Sequence, residues 1–523
     1  LLPLSSVIHF AAAYKFLVYL PSAGRSHVNF LGALADILVD AGHEVVALRP
    51  LFDKSVGSTG TKKARVIEVP QCEAAREMEV LALKEGGFAS NVWTSKSFFL
   101  LFPTMITFGD AIRDQCNYTL NHPHLLEQLK EEKFDVAFAE NMDMCGFGIF
   151  NVLGIDKMVW TTSIGTVDGT FDVSGVPSFP SYVPGALASY SDKMTFFQRV
   201  LNTIQHSTFG MMMSFFSRPL FDLFAERFPE LPKGTGLMDK TSLIFVNSDP
   251  LVDFPRVTSH RIIDIGGIVV SSGHQPLNKT WSAIFSLRPK TVLLSFGSVA
   301  KSFLMPEAYK ESIREAFRKF PDVTFIWKYE KPEHNISKGI DNIIESSWVP
   351  QNDILHDPRL SLFITHCGAG STMEAMNAGV PLIVIPVMGD QERNAQMVKR
   401  TGNGIVLAKT DLESSTKLEE ALTEAFSNDI YAEKAKKTAD ILNHRPFTMK
   451  ELFVRNMEFV ARFGPLRMLD HYGRHMSFIQ YYLIDVLVFT AVVLTVLISI
   501  FLLIARFIFR SVFALTKAKA KMQ

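Results

Sequence analysis

Short apolar runs recur along the chain, separated by stretches whose apolar residues return every three or four positions. The first pattern predicts buried strands and the second predicts helices packed against them. Residues 14–20 (YKFLVYL) read as a strand, and Pro21-Ser-Ala-Gly-Arg-Ser26 reads as a turn. From about His27, the residues Leu31, Leu34, Ala35 and Leu38 fall on one helical face. Gly42 stops that helix, and 43–48 (HEVVAL) is the next strand. A strand–helix–strand opening predicts a parallel sheet. Further strands are expected at 134–139 (FDVAFA), 157–160, 243–246 and 261–265, with a helix running to about Leu153. A Phe-rich, more helical stretch lies among them and includes 177–184 (PSFPSYVP). A second series follows the polar passage 271–280, with strands at 292–296, 323–327, 343–345, 362–365 and 382–385 and helices such as 306–319. The expected architecture is α/β: two doubly wound, Rossmann-like domains, residues 14–270 and 271–442, followed by helices at 443–482. Such sheets bind ligands at the carboxyl ends of their strands, so two of them facing each other would form a cleft.

The two ends carry a different pattern. Residues 1–13 are apolar and end in Ala11-Ala-Ala13, the shape of a signal-peptide core and cleavage site. There is no initiator Met and no basic start, so this is expected to be a signal-peptide remnant whose first residues are missing. Residues 483–505 hold one charge, Asp485. At ~1.5 Å per residue they span about 34 Å, enough for a ~30 Å hydrocarbon core. The tail, 506–523, carries Arg506, Arg510, Lys517, Lys519 and Lys521 and no acid, which places it in the cytosol and the rest of the chain on the lumenal side. Sequons at Asn117, Asn278 and Asn335 agree with that side. The ending Lys519-Ala-Lys521-Met-Gln resembles the K-x-K-x-x signal for return to the endoplasmic reticulum. The expectation is a single-pass protein of that membrane.

Composition narrows the class. At about 150 residues per domain, 523 residues allow three or four domains. Lys+Arg and Asp+Glu are both 53, so no bulk positive charge recommends a nucleic-acid partner. A 47% hydrophobic content supports large cores rather than disorder. Cys72, Cys116, Cys145 and Cys367 are too few and too scattered for a disulfide scaffold or a zinc site.

The chemistry concentrates in 362–374, where an apolar strand runs into His366-Cys-Gly368-Ala-Gly370-Ser371 and on into a helix bearing Glu374. A helix N-terminus presents unpaired N–H groups to a phosphate, and the glycines let a ligand approach the backbone. No Lys follows the glycines, and the spacing is not G-x-G-x-x-G, so neither a Walker loop nor a nicotinamide site is indicated. Upstream, Trp348-Val-Pro-Gln351 offers an aromatic plane for a base. Downstream, Asp390-Gln391 offers an acid and an amide for sugar hydroxyls.

The stretch from Trp348 to Gln391 resembles the donor-binding signature of the UDP-glycosyltransferases, with the membrane-bound UDP-glucuronosyltransferases and their invertebrate relatives as the nearest branch. The resemblance extends over nearly the whole chain and implies a GT-B arrangement of two facing domains with a C-terminal transmembrane helix. It implies that Trp348 stacks on uracil and Gln351 binds the uridine. It gives His366, Gly368, Gly370 and Ser371 to the diphosphate, Glu374 to ribose, Asp390 and Gln391 to the donor sugar, and Ser298 to a turn near the nucleotide. Cys367 stands where many membrane-bound relatives carry Gly and is expected to be a small filler, not a nucleophile. Gly24-Arg-Ser-His27 is similar to the family's N-terminal motif, whose His is the catalytic base. The matching acid partner is Glu140, with Asp143 as the alternative.

Single displacement with inversion follows from the same resemblance, with UDP-sugar as co-substrate and no metal or other cofactor. An apolar acceptor pocket is expected from Trp93, Phe98, Phe99, Phe102 and Phe108, with Phe196, Phe197 and Phe209. The choice between glucuronate and glucose, the acceptor, and monomer against homo-oligomer stay open. The alternative to an enzyme is a membrane-anchored lipophile-binding protein that retains the fold.

Overall fold

The computed structural model describes residues 13–84, 87–95, 102–165, 175–270 and 274–521. The expected signal remnant, apart from Ala13, lies outside them, as do Phe98 and Phe99. The strands form two sheets. The first contains β1 (Lys15–Tyr19), β2 (Glu44–Pro50), β3 (Arg65–Val69), β4 (Val136–Glu140), β5 (Met158–Thr162), β6 (Thr241–Val246) and β7 (Ile262–Asp264). The second contains β8 (Lys290–Ser295), β9 (Val323–Lys328), β10 (Ile343–Ser346), β11 (Leu360–Thr365), β12 (Leu382–Val384) and β13 (Gly404–Val406). Among the described residues every pairing is parallel. The spatial orders are β3-β2-β1-β4-β5-β6-β7 and β10-β9-β8-β11-β12-β13, so both sheets are doubly wound.

The central strands β1, β4, β5 and β6 are buried at nearly every position, as an all-parallel sheet requires. Two strands absent from the sequence reading, β3 and β13, are the exception. Both lie at sheet edges. β3 keeps Arg65 and Glu68 exposed, and β13 has three residues, so neither shows a continuous apolar run.

Two segments pack away from their place in sequence. The helix Met449–Phe463, within the stretch expected to lead to the membrane, lies on the first sheet. Met449, Phe453, Met457 and Val460 recur at helical spacing and join that core, and Phe453 meets Phe245 edge-on at 4.9 Å. In the other direction, the helix Phe88–Thr94 sends Trp93 into the core of the second sheet. Trp93 packs on Phe296 at 5.0 Å and donates Nε1–H to the Lys301 carbonyl at 3.2 Å. Trp93 is therefore core, not acceptor-pocket lining. Cys116 and Cys145 form a disulfide, a pairing that their scattered spacing did not reveal.

The chain beyond Asp470 falls in a separate unit. Its long helix, Ile484–Ala520, is apolar enough to cross a membrane. The helix does not stop at Ala505. Phe507, Ile508, Phe509, Val512 and Phe513 carry it through the basic tail.

Candidate active site

Each sheet reverses its strand order at one place, between β1 and β4 in the first and between β8 and β11 in the second. Loops leaving such neighbours diverge and leave a crevice at the carboxyl ends of the strands. The candidate residues collect at these two places.

At the first, helix α1 (Arg25–Asp40) follows β1 and holds His27 in its first turn. Glu140 is the last residue of β4. His27 Nδ1 lies 2.8 Å from Glu140 Oε2. Ser163, just beyond β5, donates its backbone N–H and its hydroxyl to Glu140 Oε1, each at 2.7 Å, and its Oγ is 2.8 Å from His27 Nδ1. Asn247, just past β6, fixes Ser163 by donating Nδ2–H to its carbonyl at 2.7 Å. Burial disfavours the imidazolium, but the charge and hydrogen bond of Glu140, with a contribution from Asp390, prevail and raise the His27 pKa. Burial likewise opposes ionisation of Glu140, yet His27 and the two Ser163 bonds hold its carboxyl below the ordinary value. Asp143, the alternative partner, has other commitments. It accepts from Tyr19 Oη at 3.0 Å and from the Cys145 N–H at 2.9 Å, and burial pushes its pKa up to about 6. The carboxylate that meets His27 is Glu140.

At the second place, His366 follows β11 and sits between two glycines. A Cβ on Gly297 would come 2.6 Å from His366 Cε1, and one on Gly368 would come 2.6 Å from His366 Nε2. Gly297 also has φ +77°, a backbone that favours glycine. Burial, with Lys328 nearby, lowers the His366 pKa to about 4, so its imidazole is neutral at physiological pH. Gly368 opens the helix Ala369–Ala378, and no side chain caps that N-terminus. Its first-turn N–H groups and dipole are therefore available to an anion. A Cβ on Gly370 would meet nothing within 4 Å, so the approach there is open. Cys367 has φ +65°, the left-handed region, and its thiol is buried against Thr372 with its pKa pushed up to about 12. That is an inert filler in a backbone shape that suits glycine.

Gln351 Nε2 donates to both Ser371 Oγ and Glu374 Oε2, which gathers three of the expected nucleotide residues. Burial raises the pKa of Glu374. Trp348 is 54% exposed, and the Lys328 ammonium lies 5.9 Å from its ring centroid. Asp390 accepts from Asn394 Nδ2 at 2.7 Å, and the same amide donates to the Cys367 carbonyl at 3.0 Å, which ties the loop at Gly368 to the loop at Asp390. Gln391 turns inward, and its side-chain carbonyl accepts from the N–H groups of Val387 and Met388 at 2.8 and 3.0 Å. It shapes the loop that presents Asp390.

A cavity of about 710 Å³, in the range of drug-sized ligand sites, is lined by Gly24, Arg25 and Asn141 from the first half and by Ser298, Trp348 and Met388 from the second; His27, Glu140 and His366 are not among its lining residues. Trp348, Ser298 and Lys328 line one part, and Phe52, Met78, Phe108, Phe209, Met213 and Phe216 line another. Phe108 and Phe209 are where the sequence pattern put them. Phe196 and Phe197 instead face outward, 63% and 76% exposed.

The family model described as "UDP-glucoronosyl and UDP-glucosyl transferase" matches residues 15–520. The chain belongs to that family. It is 30% identical over 494 residues to the putative UDP-glucuronosyltransferase ugt-47 of Caenorhabditis elegans, covering 93% of this chain and 92% of that protein. It is 30% identical over 493 residues to human UDP-glucuronosyltransferase 1A8, covering 93% and 90%. Among solved structures, the glycotransferase of kitacinnamycin aligns with a TM-score of 0.57 at 17% identity, covering 86% of this chain and 98% of that one. Spinosyn rhamnosyltransferase SpnG gives 0.54 at 16%, covering 85% and 100%. The fold is thus the GT-B arrangement of glycosyltransferases. As a UDP-glycosyltransferase, this enzyme takes a UDP-sugar and an acceptor.

Sequence reasoning did not single out four residues that contact the candidate groups: Ser163 on Glu140, Asn394 on Asp390, and Lys328 and Arg25 near the Trp348 ring. Ser163 and Lys328 lie at the carboxyl ends of strands, a position that could have flagged them. Asn394 and Arg25 reach across the tertiary fold, and no spacing announces that. The three sequons differ in setting. Asn278 and Asn335 are exposed, whereas Asn117 sits within a helix and accepts from Arg227.

Proposed function

We propose that this protein moves the sugar of a UDP-sugar, glucuronate or glucose, onto a hydroxyl of a small lipophilic acceptor, with inversion. The observation that carries this reading is the His27–Glu140 contact of 2.8 Å at the switch point of the first sheet. With Nδ1 donating to Glu140, Nε2 is the basic nitrogen. It takes the acceptor proton as the acceptor oxygen bonds to the anomeric carbon and the bond from that carbon to the diphosphate oxygen breaks. UDP leaves carrying the electron pair. The uncapped helix N-terminus at Gly368 and the neutral His366 face the developing charge. Trp348 stacks on the base, Gln351 and Glu374 hold the uridine and Asp390 holds the sugar. None of these steps calls for a metal.

The cavity's Phe and Met lining supports a lipophilic acceptor. The basic tail, the exposed sequons and the Cys116–Cys145 disulfide support a lumenal catalytic part anchored in the membrane of the endoplasmic reticulum.

The test is turnover of a generic phenol with a panel of UDP-sugars, scored by product mass. His27→Ala is expected to abolish every product while UDP still binds. Near-normal rates in that variant would remove His27 from the chemistry. The wild-type panel reports which sugar is used.

A further inference from the structure

Arg25 opens α1 two residues before His27, so it belongs to the half of the molecule that holds the base. Its guanidinium does not stay there. It lies 4.6 Å from the centroid of the Trp348 ring, on the second sheet's side of the cavity, and both residues line that cavity. Its Nη2 donates to the Val56 carbonyl at 2.7 Å, which holds the side chain in this reach. Lys328 Nζ lies further off, 5.9 Å from the same centroid, so Arg25 is the nearer of the two cations on a ring that a flat base needs. A stacked base sits at van der Waals distance, about 3.5–4 Å, from its platform. A guanidinium 4.6 Å from the ring centroid leaves no room for a base on the face it covers.

We propose that Arg25 is a donor-site residue supplied by the acceptor half: it occupies the Trp348 ring when no donor is bound and yields it to the base of the nucleotide. The proposal rests on the donor-site reading above and adds a residue that this reading does not use. The chemistry of the exchange is simple. A planar cation and a planar heterocycle compete for the same π face, and an exposed cation–π contact is weak enough for a stacking base to displace it. Arg25 and His27 share the first turn of α1, so the exchange links the filling of the base pocket to the segment that carries the catalytic base. Val56 retains the released side chain near the cavity mouth.

The test uses the full chain in detergent or nanodiscs, with uridine and UDP titrated calorimetrically. Uridine carries no phosphate, so it reports competition for the ring without the electrostatic effect of losing a cation. Arg25→Met is expected to bind uridine about twofold to fivefold more tightly than wild type, the fold-change corresponding to loss of an exposed cation–π contact. UDP should gain less, because the variant also removes a positive charge from a cavity that takes an anion. Arg25→Lys keeps the charge and the length but lacks the planar face, and should fall between the two for uridine. Thermal melts of both variants check the fold. Unchanged or weaker uridine binding in Arg25→Met, with wild type binding UDP normally, overturns the role given to Arg25 alone. Failure of wild type to bind UDP overturns the donor-site reading, and this proposal with it.

Discussion

At the residue scale, the site depends on how each titratable group is held. Glu140 is 4% exposed at its side chain and would be costly to bury as a charge without partners. Ser163 supplies two hydrogen bonds and His27 supplies the counter-charge, which is why a buried carboxylate stays ionised. The effect on His27 is reciprocal. A base works only when deprotonated, so a pKa raised by Glu140 moves the acid limb of the rate profile upward. Glu140→Gln should therefore shift that limb to lower pH, while the rate falls about 10²–10⁴-fold through loss of tautomer control and imidazolium stabilisation. A pH–rate profile of the variant checks both signs together. A limb that stays in place would mean that His27 is not the titrating base. His366 behaves in the opposite way. Held near pKa 4 by burial and Lys328, it contributes a neutral imidazole and should add no titration above about pH 5.

At the element scale, stability and site geometry share the same helices. The helix Met449–Phe463 closes one face of the first sheet through Phe453, Met457 and Val460, all fully buried. It lies far along the sequence from the strands it covers, so the first domain is complete only after the second has been made. Phe453→Ala should cost about 3–5 kcal/mol, measured by chemical or thermal unfolding, through lost burial and the cavity left beside Phe245. The helix Gln391–Thr401 has a second kind of role. Arg393 donates to Asp253 at 2.6 Å in a fully buried pair, and Asn394 reaches Asp390 and Cys367. The loop bearing Asp390 is thereby braced from both domains.

At the scale of the whole molecule, the proposed orientation can be read from protection and from sugar attachment. The proposed cytosolic tail means that protease added to sealed microsomes should remove only the tail and leave the rest protected. Glycosidase treatment should shift the mobility of the wild-type chain, and Asn278→Gln with Asn335→Gln should remove most of that shift, because these two sequons are exposed and Asn117 is not. A catalytic part digested in intact microsomes would reverse the orientation.

The sequence by itself determined the two parallel sheets and a C-terminal helix apolar enough to cross a membrane, and it named Gln351, Ser371 and Glu374, which the fold brings together. Apolar runs mark buried parallel strands directly, and a strand leading into a glycine-bearing helix start constrains the backbone wherever it occurs. It did not determine β3 or β13, because β3 interrupts its apolar residues with the exposed Arg65 and Glu68 and β13 is only three residues long. Nor did it place Trp93, whose aromatic side chain suits a pocket wall and a core equally well and was assigned by the neighbours it met. The choice of Glu140 over Asp143 as the partner of His27 was decided by tertiary structure. Three residues separate the two carboxylates, but only Glu140, at the end of β4, points to the imidazole, while Asp143 is taken by Tyr19 and Cys145. The reach of Arg25 to Trp348 is of the same kind. Local pattern follows from local physics, whereas contacts between residues hundreds of positions apart exist only once both sheets have folded.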